Sequence, residues 1–365
     1  MSRAGALLVV AACAAVGCGS RDSERSAGSP AGGSEQTNDK ETRVFQVKSS
    51  EDLVVLRSEY MRLWESGWDG LLEVEFGPGP YTAAGWDLGP APDSGRKTAA
   101  ASIDLVLRGA SVAPPPPANV AARSVRIEGL IFKIEYGSVE LAVRDSLAMR
   151  GCLVVDGRGM EHGRMLVSIV GVGDHGSEKA RPVRVTVEES WFVRNFQGRH
   201  PGPMIVFGSA ATAPTYFESI AITDSAFLGN AFTTELEVQF AKQMTISRSL
   251  FYKTWPDGVL LSSTSSGDIV LEDSIIFVED PAHIARHGDE SPPIKLAPST
   301  RVYPKVGAGA ARPPAGLTAE PGQFRDRASV AAGEDIIAEA ARMPATIIPG
   351  RELKAKLDAA LPPPN

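Results

Sequence analysis

Cysteine is almost missing from this chain: three residues in 365. Two of them, Cys13 and Cys18, lie in the N-terminal segment, so Cys152 has no partner in the remainder and a disulfide framework is excluded. Cys152 reads as a buried, inert thiol. Runs of Lys and Arg are missing too, and the net charge is −7. Phosphate backbones need clustered cations, so nucleic acid is not an expected partner, and polyanions gain no long-range attraction. The chain has no Gly-rich phosphate loop, no Cys/His metal pattern and no nucleophile elbow. The apolar run Ala4 to Val16 is too short to span a bilayer as a helix.

What the chain does have is one phrase repeated six times between Ser124 and Val278. Two apolar residues alternate, a small or polar residue follows, and another apolar residue comes two places on. It reads Val125, Ile127, Leu130, Phe132, then Leu147, Met149, Cys152, Val154, then Val185, Val187, Ser190, Phe192. It continues as Ile220, Ile222, Ser225, Phe227, then Met244, Ile246, Ser249, Phe251, and last Ile269, Leu271, Ser274, Ile276. The third members are 22, 38, 35, 24 and 25 residues apart. Three of these steps are near-uniform and two carry an insertion, and a period in this range means stacked units, none of which can bury its apolar face alone. A second apolar stretch falls in each gap, at Val139 to Val143, Leu166 to Val170, Met204 to Phe207, Leu236 to Phe240 and Val259 to Leu261. Two or three short strands per turn of about 22 to 25 residues predict an all-β parallel solenoid with like residues in columns. Ser190, Ser225, Ser249 and Ser274 would form one inward column, with Asn195, Asn230 and Thr254 at a second turn, as ladders that satisfy turn backbone.

Taken in order, residues 1–17 have the parts of a signal peptide: Arg3, the apolar run, then Gly17. Ala15-Val16-Gly17-Cys18 resembles the bacterial lipobox, which implies that Cys18 is the lipidated first residue of an envelope lipoprotein. Gly19 stands where an Asp would imply inner-membrane retention, so the resemblance points to the outer membrane. Residues 18–43 are Ser, Gly, Asp and Glu with few large apolar residues, a tether between lipid and domain. Ser49 to Glu65 predicts a helix capped by Ser49 and Asp52, with Leu53, Leu56, Tyr60 and Leu63 on one face. A strand through Leu72, Val74 and Phe76 leads to Pro78-Gly79-Pro80-Tyr81. That order resembles the entry of pectate-lyase-like right-handed parallel β-helix proteins, whose coil is closed by a helix. The expected layout is a β-helix domain over 44–300 and a Pro/Ala-rich, partly helical tail over 301–365. Residues 83–101 and 110–122 read as loops, Ala297 to Gln323 as a linker, and Glu334 to Met343 and Arg351 to Leu361 as helices folding over the last coil.

The resemblance also says where to look for chemistry. Relatives that cut acidic polysaccharides use outward side chains on adjacent coils; the lyases combine calcium-binding carboxylates with an Arg or Lys. Stacking the copies puts Glu189, Asp224, Arg248 and Asp273 in one column and Glu128, Arg150, Glu188, Thr223, Ser247 and Glu272 in its neighbour. By that resemblance Arg248 would be the base or enolate partner, with Asp224, Asp273 and Glu189 around a calcium ion. The same residues also suit an inert ladder in which cations separate anions. Trp191, Arg199 and His200 would face a sugar if the extra residues near Gly171–Pro182 and Ser209–Thr215 wall a cleft. His283 and His287, with Asp289 near, could hold a metal only on a helix. Two functions are therefore expected of what should be a monomer: polysaccharide binding or cleavage, or a non-catalytic scaffold that meets another protein.

Overall fold

Residues one repeat apart in sequence lie side by side. In the computed structural model Val185 is level with Leu147 on one side and Ile220 on the other, Ile220 with Met244, and Met244 with Ile269. Phe192 is likewise level with Val154 and Phe227, Phe227 with Phe251, and Phe251 with Ile276. Every one of these pairings is parallel, and the strands make one large parallel sheet carried through successive coils, an all-β parallel solenoid. The structure describes residues 40–325 except 80, 82–85, 91–101, 135–136, 160–165, 172–182, 198–201, 209–216, 254–257, 289–290, 306–312 and 315. By contact the chain divides between Asp39 and Lys40, and the described residues all belong to the second unit.

Each coil contributes a strand to three walls. Val183–Glu188, Trp191–Val193 and Pro203–Phe207 make one coil, followed by Phe217–Thr223, Ala226–Leu228 and Thr234–Gln239. Gln243–Ser247, Leu250–Tyr252 and Val259–Thr264 make the next, and Asp268–Glu272, Ile275–Val278 and Ala285–His287 another. The gap strands expected from the sequence are all present. Inward residues fill the lumen in columns: the rings of Phe192, Phe227 and Phe251 stack with centroids 4.9 and 4.8 Å apart and planes within 7° of parallel. That separation is the strand spacing itself, so the pile of rings follows from the pitch.

The serine column is the ladder the repeat predicts. Ser190 Oγ accepts from the Cys152 N–H at 3.2 Å, Ser225 Oγ from Ser190 at 3.3 Å, Ser249 Oγ from Ser225 at 3.3 Å and Ser274 Oγ from Ser249 at 3.1 Å. Thr300 Oγ1 continues it, accepting from the Ser274 N–H at 3.4 Å. Each serine hydroxyl donates in turn to the carbonyl two residues back, at 2.8 to 2.9 Å. A buried corner thereby satisfies a backbone N–H that the strands cannot reach. Cys152 occupies the same place, its Sγ 3.5 Å from the Arg150 carbonyl, and burial pushes its thiol up to about 12. At the second corner Asn195 and Asn230 do the same: the Asn230 Oδ1 accepts from the Asn195 N–H at 3.0 Å, and the Asn195 Oδ1 from the Gly157 N–H at 2.9 Å. Thr254 lies outside the described residues.

The entry also folds as the pattern indicates. The helix Ser50–Glu65 carries the Ser49/Asp52 capping box and buries Leu53, Leu56, Tyr60 and Leu63. The Tyr60 hydroxyl donates to the Ala121 carbonyl at 2.5 Å, and the Tyr81 hydroxyl sits 2.8 and 3.0 Å from the carbonyls of Gly77 and Val47. Three boundaries differ. The stretch read as loop at 110–122 is largely strand, because Asp104–Val112 runs on and Asn119–Phe132 begins early with Val120 and Ala122 turned inward. Asp87–Leu88 pairs with Asn119 and Val120, which places a strand inside the other expected loop, beside buried Trp86. The stack does not end near 300: Arg301–Pro304 pairs with Ile275–Val278, Leu317–Thr318 with Ile294–Leu296, and Phe324 bridges to Val302. Small residues and prolines hid these strands, since Ala and Pro carry little of the alternation by which a strand is read. The helical patterns of the tail lie outside the described residues.

Ser225→Ala removes the acceptor for a buried N–H and is expected to cost about 1–3 kcal/mol in urea unfolding. Cys152→Ser installs the column's own hydroxyl and should stay within about 1 kcal/mol of the parent. Equal losses for the two would contradict the ladder.

Candidate functional site

The column Glu189, Asp224, Arg248 and Asp273 exists, and its place in the fold explains it. These four residues form the corner between first and second walls, and all have left-handed backbone, with φ between 45° and 49°. Gly129 and Gly151, at φ 66° and 61°, hold that corner in the earlier coils. At Gly129 a Cβ would come within 2.4 Å of the Gly109 carbonyl oxygen, so only glycine fits there. Later corners are open enough for a side chain, which must leave pointing outward. The corner follows the strand by one residue, and the serine ladder follows the corner by one.

Outward projection brings neighbours of opposite sign together. The Arg248 guanidinium grips Asp224 with two hydrogen bonds, Nε to Oδ1 at 2.8 Å and Nη2 to Oδ2 at 2.5 Å, and Asp224 is buried by the contact. Arg150 reaches Glu189 at 3.4 Å. The Asp273 N–H donates to Ser299 Oγ at 3.0 Å. At the second corner the left-handed residues Asp156 and Arg194 pair in the same way, at 2.9 and 3.1 Å. The adjacent column alternates in sign across the first wall: Glu75 is level with Arg108, Arg108 with Glu128, Glu128 with Arg150 and Arg150 with Glu188. Hydrogen bonding from Arg108 holds the Glu75 carboxyl below the usual range. Beyond Glu188 the column turns neutral at Thr223 and Ser247 before Glu272.

A calcium ion needs several oxygen ligands, carboxylates foremost. Among the described residues no three acidic, His or Cys side chains converge as a metal site, and the most enclosed carboxylate of the column is taken by Arg248. The arrangement therefore does not fit calcium. Trp191 is not presented to solvent as expected: it is 5% exposed and belongs to an apolar cluster on the outer face of the second wall. Its indole N–H is buried without a hydrogen-bond partner among the described residues. Arg199, His200 and Cys18 lie outside the described residues, as do the segments expected to wall a cleft. His283 ends the short turn Pro281–His283 and His287 ends the strand Ala285–His287, so the pair does not share a helix face.

One ionisable pair was not anticipated. Glu235, on Thr234–Gln239, is fully buried, and neither carboxylate oxygen has a hydrogen-bond partner among the described residues. Lys253, also buried, donates to the Phe232 carbonyl at 3.0 Å. Burial pushes the Glu235 carboxyl up to about 7, against the opposing pull of the Lys253 ammonium and the Asn230 amide, and burial likewise lowers the Lys253 ammonium. The signal lay in Glu235-Leu236-Glu237, which alternation alone assigns to solvent, and no residue pattern marks a corner where a coil turns its strand inward. Comparison of the chain with protein-family models, with curated proteins and with solved structures finds no match.

Two outcomes are expected. A corner position tolerates glycine and resists β-branching, so Asp273→Gly should leave stability at or up to about 1 kcal/mol above the parent while Asp273→Val costs about 1–3 kcal/mol. Glu235 keeps its proton longer when folded than when unfolded, so its contribution to stability falls as pH rises from about 4.5 to about 7 and is flat beyond. The melting temperature of the parent measured against Glu235→Gln should decline over that window; a difference independent of pH would refute the assignment.

Proposed function

We propose that this chain is a bacterial-envelope lipoprotein whose right-handed parallel β-helix acts as a stiff, non-catalytic scaffold, its first wall meeting another protein. Right-handedness follows from chirality, since parallel strands joined by crossovers take that hand in about 98% of cases. The observation that carries the reading is the corner column itself. The four side chains that would have to perform the chemistry of a polysaccharide lyase are set by left-handed turns, and three of them are in ion pairs, Arg248 with Asp224 and Glu189 with Arg150. The two-pronged bond to a buried carboxylate occupies two of the Arg248 donors and stabilises its protonated form, which opposes the role of base. The first wall then offers a flat face of alternating charge along Glu75, Arg108, Glu128, Arg150 and Glu188, which suits register-specific contact with a partner of complementary pattern. Lipidation at Cys18 would join the domain, which begins at the strand Thr42–Val47, to the outer membrane through the segment between them.

The polysaccharide reading makes the opposite forecast, and one experiment separates them. The chain is incubated with acidic and neutral polysaccharides, with and without calcium, while binding and the absorbance of newly formed double bonds are followed. The scaffold predicts no unsaturated product, and it predicts that Arg248→Ala loses about 1–3 kcal/mol of stability by leaving Asp224 unpaired. Unsaturated product that disappears with Arg248→Ala would establish a lyase instead. For the anchor, Cys18→Ala should move the protein from the membrane to the soluble fraction; retention in the membrane would overturn the lipobox assignment.

A further inference from the structure

Three chemically complementary side chains meet on the inner side of the second corner. Asn230, Glu235 and Lys253 are 0, 0 and 2% exposed. The position just before the asparagine column is held in successive coils by Arg194, Gly229 and Lys253, since Val193, Leu228 and Tyr252 stand level. Arg194 and Gly229 have left-handed backbone, at φ 53° and 62°, and the Arg194 side chain leaves outward to Asp156. Lys253 lacks the left-handed turn, so its side chain goes inward, and Nζ donates to the Phe232 carbonyl at 3.0 Å. Phe232 follows Asn230 by two residues and precedes Glu235 by three. The amine of one coil is thereby delivered beside the amide and the carboxyl of the coil before it. Asn230 is held in place: its Oδ1 accepts from the Asn195 N–H and its Nδ2 donates to the Phe192 carbonyl, both at 3.0 Å. A charged carboxylate and ammonium are costly in so dry a place, which favours the carboxylic acid and the free amine. The shifts already described for Glu235 and Lys253 run in those two directions.

We propose that Lys253 and Asn230 become joined in the folded protein by an intramolecular isopeptide bond, with Glu235 as the catalytic acid and base. The lone pair of the neutral Lys253 Nζ attacks Asn230 Cγ. The Glu235 carboxyl gives its proton to the departing Nδ2 and recovers one from the attacking nitrogen. One C–N bond forms, the Cγ–Nδ2 bond breaks, ammonia leaves, and Glu235 ends protonated as it began. Each requirement of the step is met by burial: only a neutral amine is a nucleophile, only a protonated carboxyl can donate, and exclusion of water prevents hydrolysis. Holding the three groups in one lumen supplies the effective concentration that an amine and an unactivated amide lack in solution. The product keeps the ladder, because the new amide still offers its carbonyl oxygen to the Asn195 N–H and retains one N–H of its own. Asn195 occupies the equivalent place but meets Gly229 in the next coil, which has no amine, so the reaction is confined to one corner. The bond would tie the coil of Ala226–Leu228 to that of Leu250–Tyr252 and remove a buried ammonium from the core.

The test is a tryptic map of the purified full chain, read by mass spectrometry. Where the Lys253 amine is free, trypsin releases the peptide 249–253. An acylated Lys253 resists cleavage, so 249–286 stays whole and is joined to 200–242 in a branched peptide about 17 Da lighter than its two parts, through loss of ammonia. The parent should give the branched peptide, and Lys253→Met and Asn230→Ala should give none. Glu235→Gln retains both reacting side chains and should leave them unjoined, with far-ultraviolet circular dichroism reporting that the sheet is intact. Free 249–253 from the folded parent would overturn the inference. So would a branch about 18 Da lighter with Glu235 as its acyl partner, since water and not ammonia would then have left. A branch that persists in Glu235→Gln would overturn the role given to Glu235. Should that variant not fold, Glu235→Ala is read in the same way, and the map of the parent decides the bond by itself.

Discussion

In-register parallel stacking is the constraint on which everything else depends. When every coil repeats at the strand spacing, each side chain has the equivalent side chain of the next coil as its nearest neighbour, about 4.8 Å away. A column must therefore be compatible with itself. Apolar columns meet this at once, and aromatic ones gain by it, as Phe192, Phe227 and Phe251 do. Hydroxyl and amide columns meet it because each group both donates and accepts, so Ser190 to Thr300 form a chain in which every member serves a neighbouring coil. Columns of one charge cannot meet it. They alternate in sign, as Glu75, Arg108, Glu128, Arg150 and Glu188 do, or give way to Thr and Ser.

This changes what a line of acidic and basic residues means. In a fold without repeats, Arg248 between two aspartates would point towards a designed site. Here the corner column must be left-handed, outward and adjacent to its own kind, and those three demands already select Gly, Asp and, where the neighbour is Asp, Arg. Stacking and corner geometry account for Asp224, Arg248 and Asp273 without any substrate, and Glu189, which adjoins Asp224 with the same sign, is met by Arg150 from the neighbouring column. The buried pair Glu235 and Lys253 is the exception, because neither belongs to a self-compatible column: Met204 stands level with Glu235 in the coil before, and Leu260 in the coil after.

The solenoid was legible in the sequence because its signal is long-ranged and redundant. Six copies of one phrase fix the register, and the capping box with Leu53, Leu56, Tyr60 and Leu63 fixes the entry helix. Sequence reasoning failed where a coil carries little of the phrase. Val120, Ala121 and Ala122 are inside the stack although alanine and proline surround them, and Arg301–Pro304 continues a wall in a stretch that composition marks as linker. Trp191 is on the outer side of its wall and yet buried, for a different reason. Alternation correctly puts it on the outer side of the wall, but outer and exposed are the same only if one face of the sheet meets water. The triplets Leu153-Val154-Val155, Trp191-Phe192-Val193 and Leu250-Phe251-Tyr252 lack any polar residue, and an unbroken apolar run is how a strand buried on both faces is written.

That distinction also orders the surface. The outer face of the first wall alternates in charge and meets solvent, while that of the second is apolar and buried. An apolar strip left open would invite association. On the exposed face Arg108 is bound to Glu73 and Glu75, and Arg150 to Glu189, so a partner would have to match that register to displace either. A surface built in this way discriminates by pattern more than it attracts by net charge. That alternating wall follows from the same stacking rule that forbids a column of like charges.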